Sequence, residues 1–274
     1  MSFLKLESKR FLIFGVANKK SVAYQIATML IGEGAVVDLV VQNDLIADKV
    51  RLLFPAQSVF VCDVESEESI GLLLGLLCDH LNISAGSGSR QYYSGLVHSI
   101  AFADYSGGMK PFYATPKRAF LQAMDISCFS FVSVSGQLRE LLASDASVVT
   151  ISISTTRMAS ENYGFMAPIK AALDSSLAFL VKSFSEFSEV RFNAVAPGLL
   201  KTSASAGIPG YADSYIFAEQ VIPRKRALLT EEAAAVAVFL LSPRSSGINA
   251  QKIIVDAGME INYFDKNIIK KVNE

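Results

Sequence analysis

The chain has 274 residues, of which 51% are apolar, and its formal net charge is −1. This length and composition suit one domain with a large core over residues 1–274. The balanced charge excludes the basic surface of a nucleic-acid-binding protein, and no apolar run approaches the roughly 20 residues of a membrane-spanning helix. We therefore expect neither nucleic acid nor a membrane as a partner.

In the first half of the chain, short apolar runs alternate with helical patterns. The runs predict buried strands at Phe11–Phe14, Val36–Val41, Val59–Val61 and Gly95–His98. The helical patterns lie at Val22–Ile31, where Ser21 offers an N-cap, and at Glu67–His80. The stretch Ser84–Ser89 is rich in glycine and serine and predicts a loop.

The alternation continues to the end of the chain. Helices are predicted at Phe120–Leu142, Ala167–Phe184 and Thr230–Leu241, and strands at Ser147–Ser152, Val190–Val195 and Lys252–Val255. Apolar strands that alternate with helices predict an α/β fold, a Rossmann-type doubly wound parallel sheet of about seven strands with helices on both faces. One irregular stretch, Leu199–Tyr215, leaves the carboxyl end of a strand, where such sheets bind ligands, and is a candidate substrate lid.

The cysteines and histidines are not expected to form a metal site. Cys62, Cys78 and Cys128 are scattered, and the only histidines are His80 and His98. No pair has the spacing of zinc ligands, and a disulfide framework is not expected from an odd, scattered set. The first residues carry charges where a secretory signal is apolar, so we expect a cytoplasmic protein with reduced cysteines.

The loop after the first predicted strand is the place where a Rossmann fold holds a pyrophosphate, on the N-terminus of the following helix. Here it reads Gly15-Val16-Ala17-Asn18-Lys19-Lys20-Ser21. With its single glycine it lacks the GxGxxG fingerprint. Spacing alone therefore does not separate a dinucleotide site from an ordinary strand–helix turn.

Polar residues near the ends of the next two strands are candidates for the adenosine half of a dinucleotide. Gln42 ends the second strand, Asp38 lies within it as a candidate to face the sheet interior, and Asp63 follows the third. No arginine follows Gln42 to hold a 2′-phosphate, which favours NADH, although Lys19 or Lys20 can serve NADPH.

Tyr163 and Lys170 are candidates for a catalytic pair. On an α-helix, seven residues turn the chain by about 700°, which leaves the two side chains roughly 20° apart on one face and roughly 10 Å apart along the axis. A nearby ammonium lowers the pKa of a tyrosine, so that the phenol can act as an acid or as a strong hydrogen-bond donor. Pro168 is tolerated only in the first turn of a helix, so the regular helix is expected to start near Ala167, with Tyr163 on the segment before it.

Taken together, these segments resemble the enoyl-[acyl-carrier-protein] reductases of the short-chain dehydrogenase/reductase superfamily, from about Arg10 to Ile261. The six-residue gap between Tyr163 and Lys170 is that subfamily's pattern, as is the loop with a lone early glycine. The match at this loop continues through Val22-Ala23-Tyr24-Gln25-Ile26-Ala27. The other matching segments are Gln42-Asn43-Asp44, Cys62-Asp63-Val64, His98-Ser99-Ile100-Ala101-Phe102-Ala103, Asp125-Ile126-Ser127, Val190-Arg191-Phe192-Asn193-Ala194-Val195-Ala196, and Ser205-Ala206-Gly207-Ile208.

The resemblance implies reduction of the double bond of a trans-2-enoyl thioester, carried on acyl carrier protein, by hydride from NADH or NADPH in fatty-acid elongation. It implies that Tyr163 stabilises the enolate oxygen and that Lys170 holds the nicotinamide ribose. It implies a cofactor site formed by Gly15, Ala17, Ser21, Val22, Gln42, Asp63, Val64, Ser99, Ile100, Ala101, Lys170 and Thr202, and a substrate site that includes Phe102, Ala103, Ile153, Ser205 and Ile208. It also implies a homotetramer.

Several positions depart from the family pattern. The family has an outer tyrosine ten residues before the catalytic one, where this chain has Ile153, and its Ala-Gly-Pro reads Pro197-Gly198-Leu199 here. These departures keep two alternatives open: a divergent reductase of another carbonyl or unsaturated compound, and a cofactor-binding paralogue with little turnover. We further expect His98 to be packed or hydrogen-bonded rather than a base, Tyr105 to lie at the rim of the site, and Tyr113 to lie on the surface.

Overall fold

The computed structural model describes residues 2–84, 91–108, 110–159, 164–202, 205, 208 and 210–272. Its seven strands form one all-parallel sheet in the order β3-β2-β1-β4-β5-β6-β7. The strands are β1 (Arg10–Phe14), β2 (Val36–Val41), β3 (Val59–Val61), β4 (Tyr93–His98), β5 (Leu142–Ile151), β6 (Arg191–Pro197) and β7 (Lys252–Val255). The predicted fold class is confirmed.

Helices connect the strands and cover both faces of the sheet. They are α1 (Val22–Gly32), α2 (Asp44–Leu53), α3 (Glu67–Ser84), α4 (Lys117–Met124), α5 (Ser130–Gln137), α6 (Met166–Phe184), α7 (Tyr211–Val221), α8 (Thr230–Leu241) and α9 (Lys266–Val272). The sequence analysis did not predict α2, α7 or α9. Most of the predicted loop at Ser84–Ser89 lies outside the described residues, and Ser84 itself ends α3.

Alternation along the strands produces two apolar layers. In β1, Phe11 and Ile13 face the layer that holds α1, α2 and α8, whereas Leu12 and Phe14 face the layer that holds α3, α5 and α6. Successive side chains of a strand point to opposite faces, so a strand covered by helices on both sides must be apolar throughout. This explains why the strands appear in the sequence as continuous apolar runs.

The long helix predicted at Phe120–Leu142 is wrong in its extent. The helical segment begins at Lys117, passes through a π-helical turn at Asp125–Phe129, and its α-helical part ends at Gln137; Leu142 already starts β5. The apolar pattern runs through this boundary because Leu138, Leu141 and Leu142 are all buried. An apolar run does not by itself mark where a buried helix gives way to a buried strand.

One stretch of this segment, Lys117–Gln137, has the length and apolar composition of a membrane-spanning helix. Half of its most apolar window is buried inside the fold. A core helix of a globular protein passes the same test, so the stretch carries no argument for a membrane.

The order of the strands in the sheet places a crevice between β1 and β4. From β1 the sheet continues to β2 and β3 on one side, and to β4 and the later strands on the other. Connections leave in opposite directions at such a switch point, so the carboxyl ends of the two strands open onto a ligand site. Gly15 and Ser99 directly follow β1 and β4.

Candidate active site

A cavity of about 620 Å³ lies at the carboxyl ends of the strands. This volume is in the range of ligand sites, roughly 300–1,000 Å³. Every site residue predicted from the sequence lines this cavity, apart from Tyr163, which lies outside the described residues. The lining residues that had been predicted are Gly15, Ala17, Ser21, Val22, Gln42, Asp63, Val64, Ser99, Ile100, Ala101, Phe102, Ala103, Ile153, Lys170, Thr202, Ser205 and Ile208.

The lone glycine of the first loop is held against β4. Gly15 has a φ of +94°, and a Cβ atom at this position would lie 2.0 Å from the carbonyl oxygen of Ser99. Both the backbone angle and the contact exclude any other residue. Gly15 therefore brings the first loop and the β4 end together as one wall of the cavity.

The loop is closed by hydrogen bonds at the start of α1. The Ser21 hydroxyl donates to the Asn18 carbonyl oxygen at 2.8 Å and accepts from the Tyr24 amide at 3.3 Å. Ser21 is thus the helix N-cap, as predicted. Because Ser21 and Val22 line the cavity, the positive end of the helix dipole lies at its wall, where an anionic group is stabilised.

The ends of β2 and β3 form the far part of the cavity. Gln42 and Asp63 both line it, and the Asp63 carboxylate accepts a hydrogen bond from the Glu65 amide at 3.2 Å. Asp38 points elsewhere, into a buried cluster in which its carboxylate accepts from Arg10 at 2.8 Å and from the Tyr93 hydroxyl at 2.9 Å. Asp38 is therefore a structural residue, and Gln42 is the polar group at the end of this strand.

Lys170 is the buried cation of the site. Its side-chain nitrogen donates to the Ile100 carbonyl oxygen at 3.1 Å and to the Ile151 carbonyl oxygen at 2.9 Å. Burial lowers the pKa of this lysine to about 8, against weaker opposing effects of Cys128 and Asp174. An ammonium has three N–H donors, so one remains for a ligand in the cavity.

Helix α6 begins at Met166, which confirms the expected start near Ala167, so the helical-face argument does not extend from Lys170 back to Tyr163. Gly164, with a φ of +58°, and Phe165 precede the helix in a non-helical conformation. Pro168 falls in the first turn, where its missing N–H costs no internal hydrogen bond, as its presence had indicated. The role of Tyr163 remains a prediction.

His98 is packed in the interior, as predicted. Its Nε2 atom lies 2.8 Å from the Ser130 hydroxyl and its Nδ1 atom 3.2 Å from the Thr150 hydroxyl. The Ser130 hydroxyl itself donates to the Ile126 carbonyl oxygen, and the Thr150 hydroxyl donates to the His98 carbonyl oxygen. Burial, helped by the nearby charge of Lys170, lowers the pKa of His98 to about 3, which keeps the ring neutral.

Comparisons with known proteins identify the family of the chain. A sequence model of the family described as enoyl-(acyl carrier protein) reductase matches residues 15–260. The chain belongs to this family. The family is part of the short-chain dehydrogenase/reductase superfamily.

Individual relatives cover almost the whole chain. The enoyl-[acyl-carrier-protein] reductase [NADH] of Nostoc is 32% identical over 94% of this chain and 98% of its own length. The corresponding [NADPH] enzyme of Staphylococcus aureus is 28% identical over 93% of this chain and 98% of its own. The crystal structure of the NADH enzyme from Aquifex aeolicus superposes with a TM-score of 0.86 at 30% identity, covering 95% of this chain and 99% of that one.

In this member of the enoyl reductase family, the π-helical turn at Asp125–Phe129 holds the segment after β4 that lines the cavity. The Ser127 hydroxyl accepts from the Phe102 amide at 2.8 Å and donates to the Phe102 carbonyl oxygen at 2.9 Å. Ser127 is fully buried. The two bonds replace strand pairing for a segment that has left β4, and so fix Phe102 and Ala103 at the cavity.

The segment after β6 closes one side of the cavity. The Tyr211 hydroxyl, at the start of α7, accepts from the Leu200 amide at 2.9 Å and donates to the Leu200 carbonyl oxygen at 2.8 Å. The Ser205 hydroxyl bonds to the Leu200 and Thr202 carbonyl oxygens. The stretch expected to be irregular up to Tyr215 therefore ends at Tyr211, where a helix begins after Gly210 with a φ of +73°.

Some cavity residues were not predicted as part of the site. Among them are Tyr105, Ile126, Ser152 and Met166. Ser152 directly precedes Ile153, and Ile126 lies in a segment already recognised as family-like, so sequence proximity was an available signal for both. Tyr105 had been assigned to the rim, whereas Met166 comes from a helix start that no local motif marks. Tyr211 lies within the stretch predicted as the lid.

Proposed function

We propose that the protein reduces the carbon–carbon double bond of a trans-2-enoyl thioester, carried on acyl carrier protein, with NADH in fatty-acid elongation. The observation that carries this proposal is the placement of Lys170. Its ammonium is anchored on the Ile100 and Ile151 carbonyls, in a cavity that also holds the phosphate-type loop at Gly15. A nicotinamide cofactor and an apolar substrate thus have adjoining places.

The residues present fit a nicotinamide dinucleotide. The Gly15 cradle and the α1 N-terminus suit a pyrophosphate, and Gln42 suits the adenosine ribose. Among the described residues that line the cavity there is no arginine to pair with a 2′-phosphate, which favours NADH over NADPH. When bound, the cofactor supplies the hydride that the β-carbon of the enoyl thioester receives.

The chain's own residues bind and orient the reactants. The remaining N–H of Lys170 holds the nicotinamide ribose hydroxyls, and its pKa of about 8 keeps most of it cationic at neutral pH. Tyr163 donates a hydrogen bond or a proton to the enolate oxygen that forms as the double bond is reduced. Ile153 lines the same cavity without a hydroxyl, so in this proposal Tyr163 acts on that oxygen without help from position 153.

Adding an enoyl thioester such as crotonyl thioester to the purified protein and following NADH absorbance tests the activity. The wild type should consume NADH, and Tyr163→Phe should still bind NADH while losing about 10²- to 10⁴-fold in turnover. Tyr113→Phe is the matched control, since Tyr113 is 91% exposed. No consumption with either NADH or NADPH would refute the proposal.

The aliphatic Ile153 favours a second candidate, a divergent reductase that acts on another carbonyl or unsaturated compound. A panel of ketones and enoyl thioesters, each tested with NADH, separates the two candidates by their relative kcat/KM. If wild type and Tyr163→Phe are equally inactive on the whole panel while both bind NADH, the protein is a cofactor-binding paralogue instead.

We also propose a homotetramer in the cytoplasm, with residues of about 199–215 as the lid over the acyl chain. Phe129 of the π-helical turn and Phe179 of α6 are 49% and 72% exposed, which supports burial of these helical segments against another copy. The free thiols of Cys62, Cys78 and Cys128 suit a reducing compartment. Light scattering on the purified protein tests the tetramer.

A further inference from the structure

Tyr105, in the segment after β4, packs on Gly164 and Phe165. These two residues form the turn that precedes α6, the helix that carries Lys170. A Cβ atom placed on Gly164 would lie 2.7 Å from Cε1, 3.0 Å from Oη and 3.2 Å from Cζ of Tyr105. The phenol ring thus occupies the space that any side chain at position 164 would need. Gly164 is also one of the residues with positive φ, at +58°.

The same ring contacts the next residue of the turn. The Tyr105 and Phe165 rings lie 5.3 Å apart between centroids, and Phe165 in turn lies 5.9 Å from Phe120 of α4. Phe165 is only 4% exposed. Three separate segments of the chain therefore meet in one aromatic cluster, with the turn at Gly164–Phe165 in its middle.

The start of α6 is not fixed by a side-chain cap. Its N-cap residue, Phe165, makes no capping hydrogen bond through its side chain, and Pro168 has no N–H. Side-chain caps commonly contribute about 1 kcal/mol to a helix start. Packing of the aromatic cluster takes the place of that cap. This packing also sets the direction in which the chain enters α6.

We propose that Tyr105 is a positioning residue for catalysis, which clamps the Gly164–Phe165 turn, the residues that directly follow Tyr163 in the sequence. The inference rests on the proposed function, because it assigns Tyr163 the role given there. Tyr105 acts through the turn and transfers no proton. Burial raises its pKa to about 12, so the phenol stays protonated at neutral pH.

Tyr211, the other described tyrosine that lines the cavity, has a different function. Its hydroxyl is engaged by both the amide and the carbonyl of Leu200, so it orders the segment after β6. Tyr105, in contrast, contacts the Gly164–Phe165 turn.

Steady-state kinetics with crotonyl thioester and NADH test the clamp on Tyr105→Ala, Tyr105→Phe and the control Tyr113→Ala. We expect Tyr105→Ala to lower kcat by up to about 100-fold, the effect of a misplacement of about 1 Å, with the Kd for NADH within about 2-fold of wild type. Tyr105→Phe keeps the ring and should restore most of kcat. Equal kcat in wild type and Tyr105→Ala, or an equal loss in the Ala and Phe variants, overturns the proposal.

A double-mutant cycle probes the contact itself. Gly164→Ala in the wild type meets both the unfavourable φ and the Tyr105 ring, whereas in the Tyr105→Ala background only the φ remains. The loss of kcat caused by Gly164→Ala should therefore be smaller in the second background, and strictly additive losses contradict the clamp. Circular dichroism identifies variants that do not fold, and the two Tyr105 variants decide the matter without Gly164→Ala.

The wild-type assay separates the two proposals. If the wild type does not reduce the enoyl thioester, the proposed function is refuted, and the positioning role falls with it. If the wild type is active while Tyr105→Ala is unchanged in kcat, only the positioning role is refuted.

Discussion

Replacing Gly15 by alanine tests how the first loop forms the cofactor site. The new Cβ would lie 2.0 Å from the Ser99 carbonyl oxygen, where ordinary contact begins at 3.4 Å, so the loop and the β4 end must part by about 1.4 Å. The φ of +94° adds about 1–2 kcal/mol of backbone strain. Since the obstructing atom belongs to the backbone, no side-chain rotation relieves the contact.

A shift of this size moves the loop amides away from an anionic ligand. Losing one hydrogen bond to a charged group costs about 1.5–3 kcal/mol, which corresponds to a Kd for NADH that is about 10- to 150-fold higher. Titration of NADH fluorescence against the folded variant measures this change. Thermal unfolding followed by circular dichroism measures the accompanying loss of stability.

Gly71→Ala is the matched control. Gly71 lies in α3 on the exposed side, and a Cβ there meets nothing within 4 Å. Alanine should stabilise this helix position by about 0.5–1 kcal/mol and leave NADH affinity unchanged. The reasoning is refuted if Gly15→Ala and Gly71→Ala bind NADH equally well and unfold at the same temperature.

Two further predictions concern buried charges. Asp38→Asn leaves Arg10 without its buried carboxylate partner and should lower the free energy of unfolding, measured in urea, by about 3 kcal/mol. The control Asp48→Asn breaks an exposed ion pair and should lower it by less than about 1 kcal/mol. Equal losses contradict the structural role of Asp38. Because folding lowers the pKa of Lys170 from 10.5 to about 8, the unfolded chain binds more protons between these values, and the contribution of Lys170 to stability rises with pH across that window. The difference in unfolding free energy between wild type and Lys170→Met should show this rise. In addition, kcat should fall above about pH 8 as Lys170 loses its proton. A free-energy difference and a kcat that do not change with pH in this range contradict the prediction.

Most of the cavity lining was predictable because its residues follow strands. Gly15, Gln42, Asp63 and Ser99 each come just after an apolar run, and the carboxyl ends of parallel strands meet at one edge of the sheet. A local pattern therefore carries information about a shared location. The resemblance to a known family added the roles of these residues, which spacing alone left open.

Elements whose boundaries depend on burial were predicted less well. The run from Phe120 to Leu142 looks uniformly apolar, yet it contains a π-helical turn that Ser127 ties to Phe102 and it ends in a strand. Helix α7 starts inside a stretch whose small residues suggested a loop. The Ser127–Phe102 bonds join residues 25 positions apart, and the Tyr211–Leu200 bonds join residues 11 positions apart, so neither is visible in a short stretch of sequence.

The order of residues along the chain specified the alternation of strands and helices, the apolar strands and the family, because periodicity and residue type are local properties. Tertiary structure alone decided that Gly15 is fixed by Ser99, that Asp38 serves a buried ion pair, and that Tyr105 packs on Gly164. Each of these depends on atoms brought within a few ångströms of one another from remote positions in the sequence. Such a contact has no local signature, since either partner taken alone is compatible with many environments.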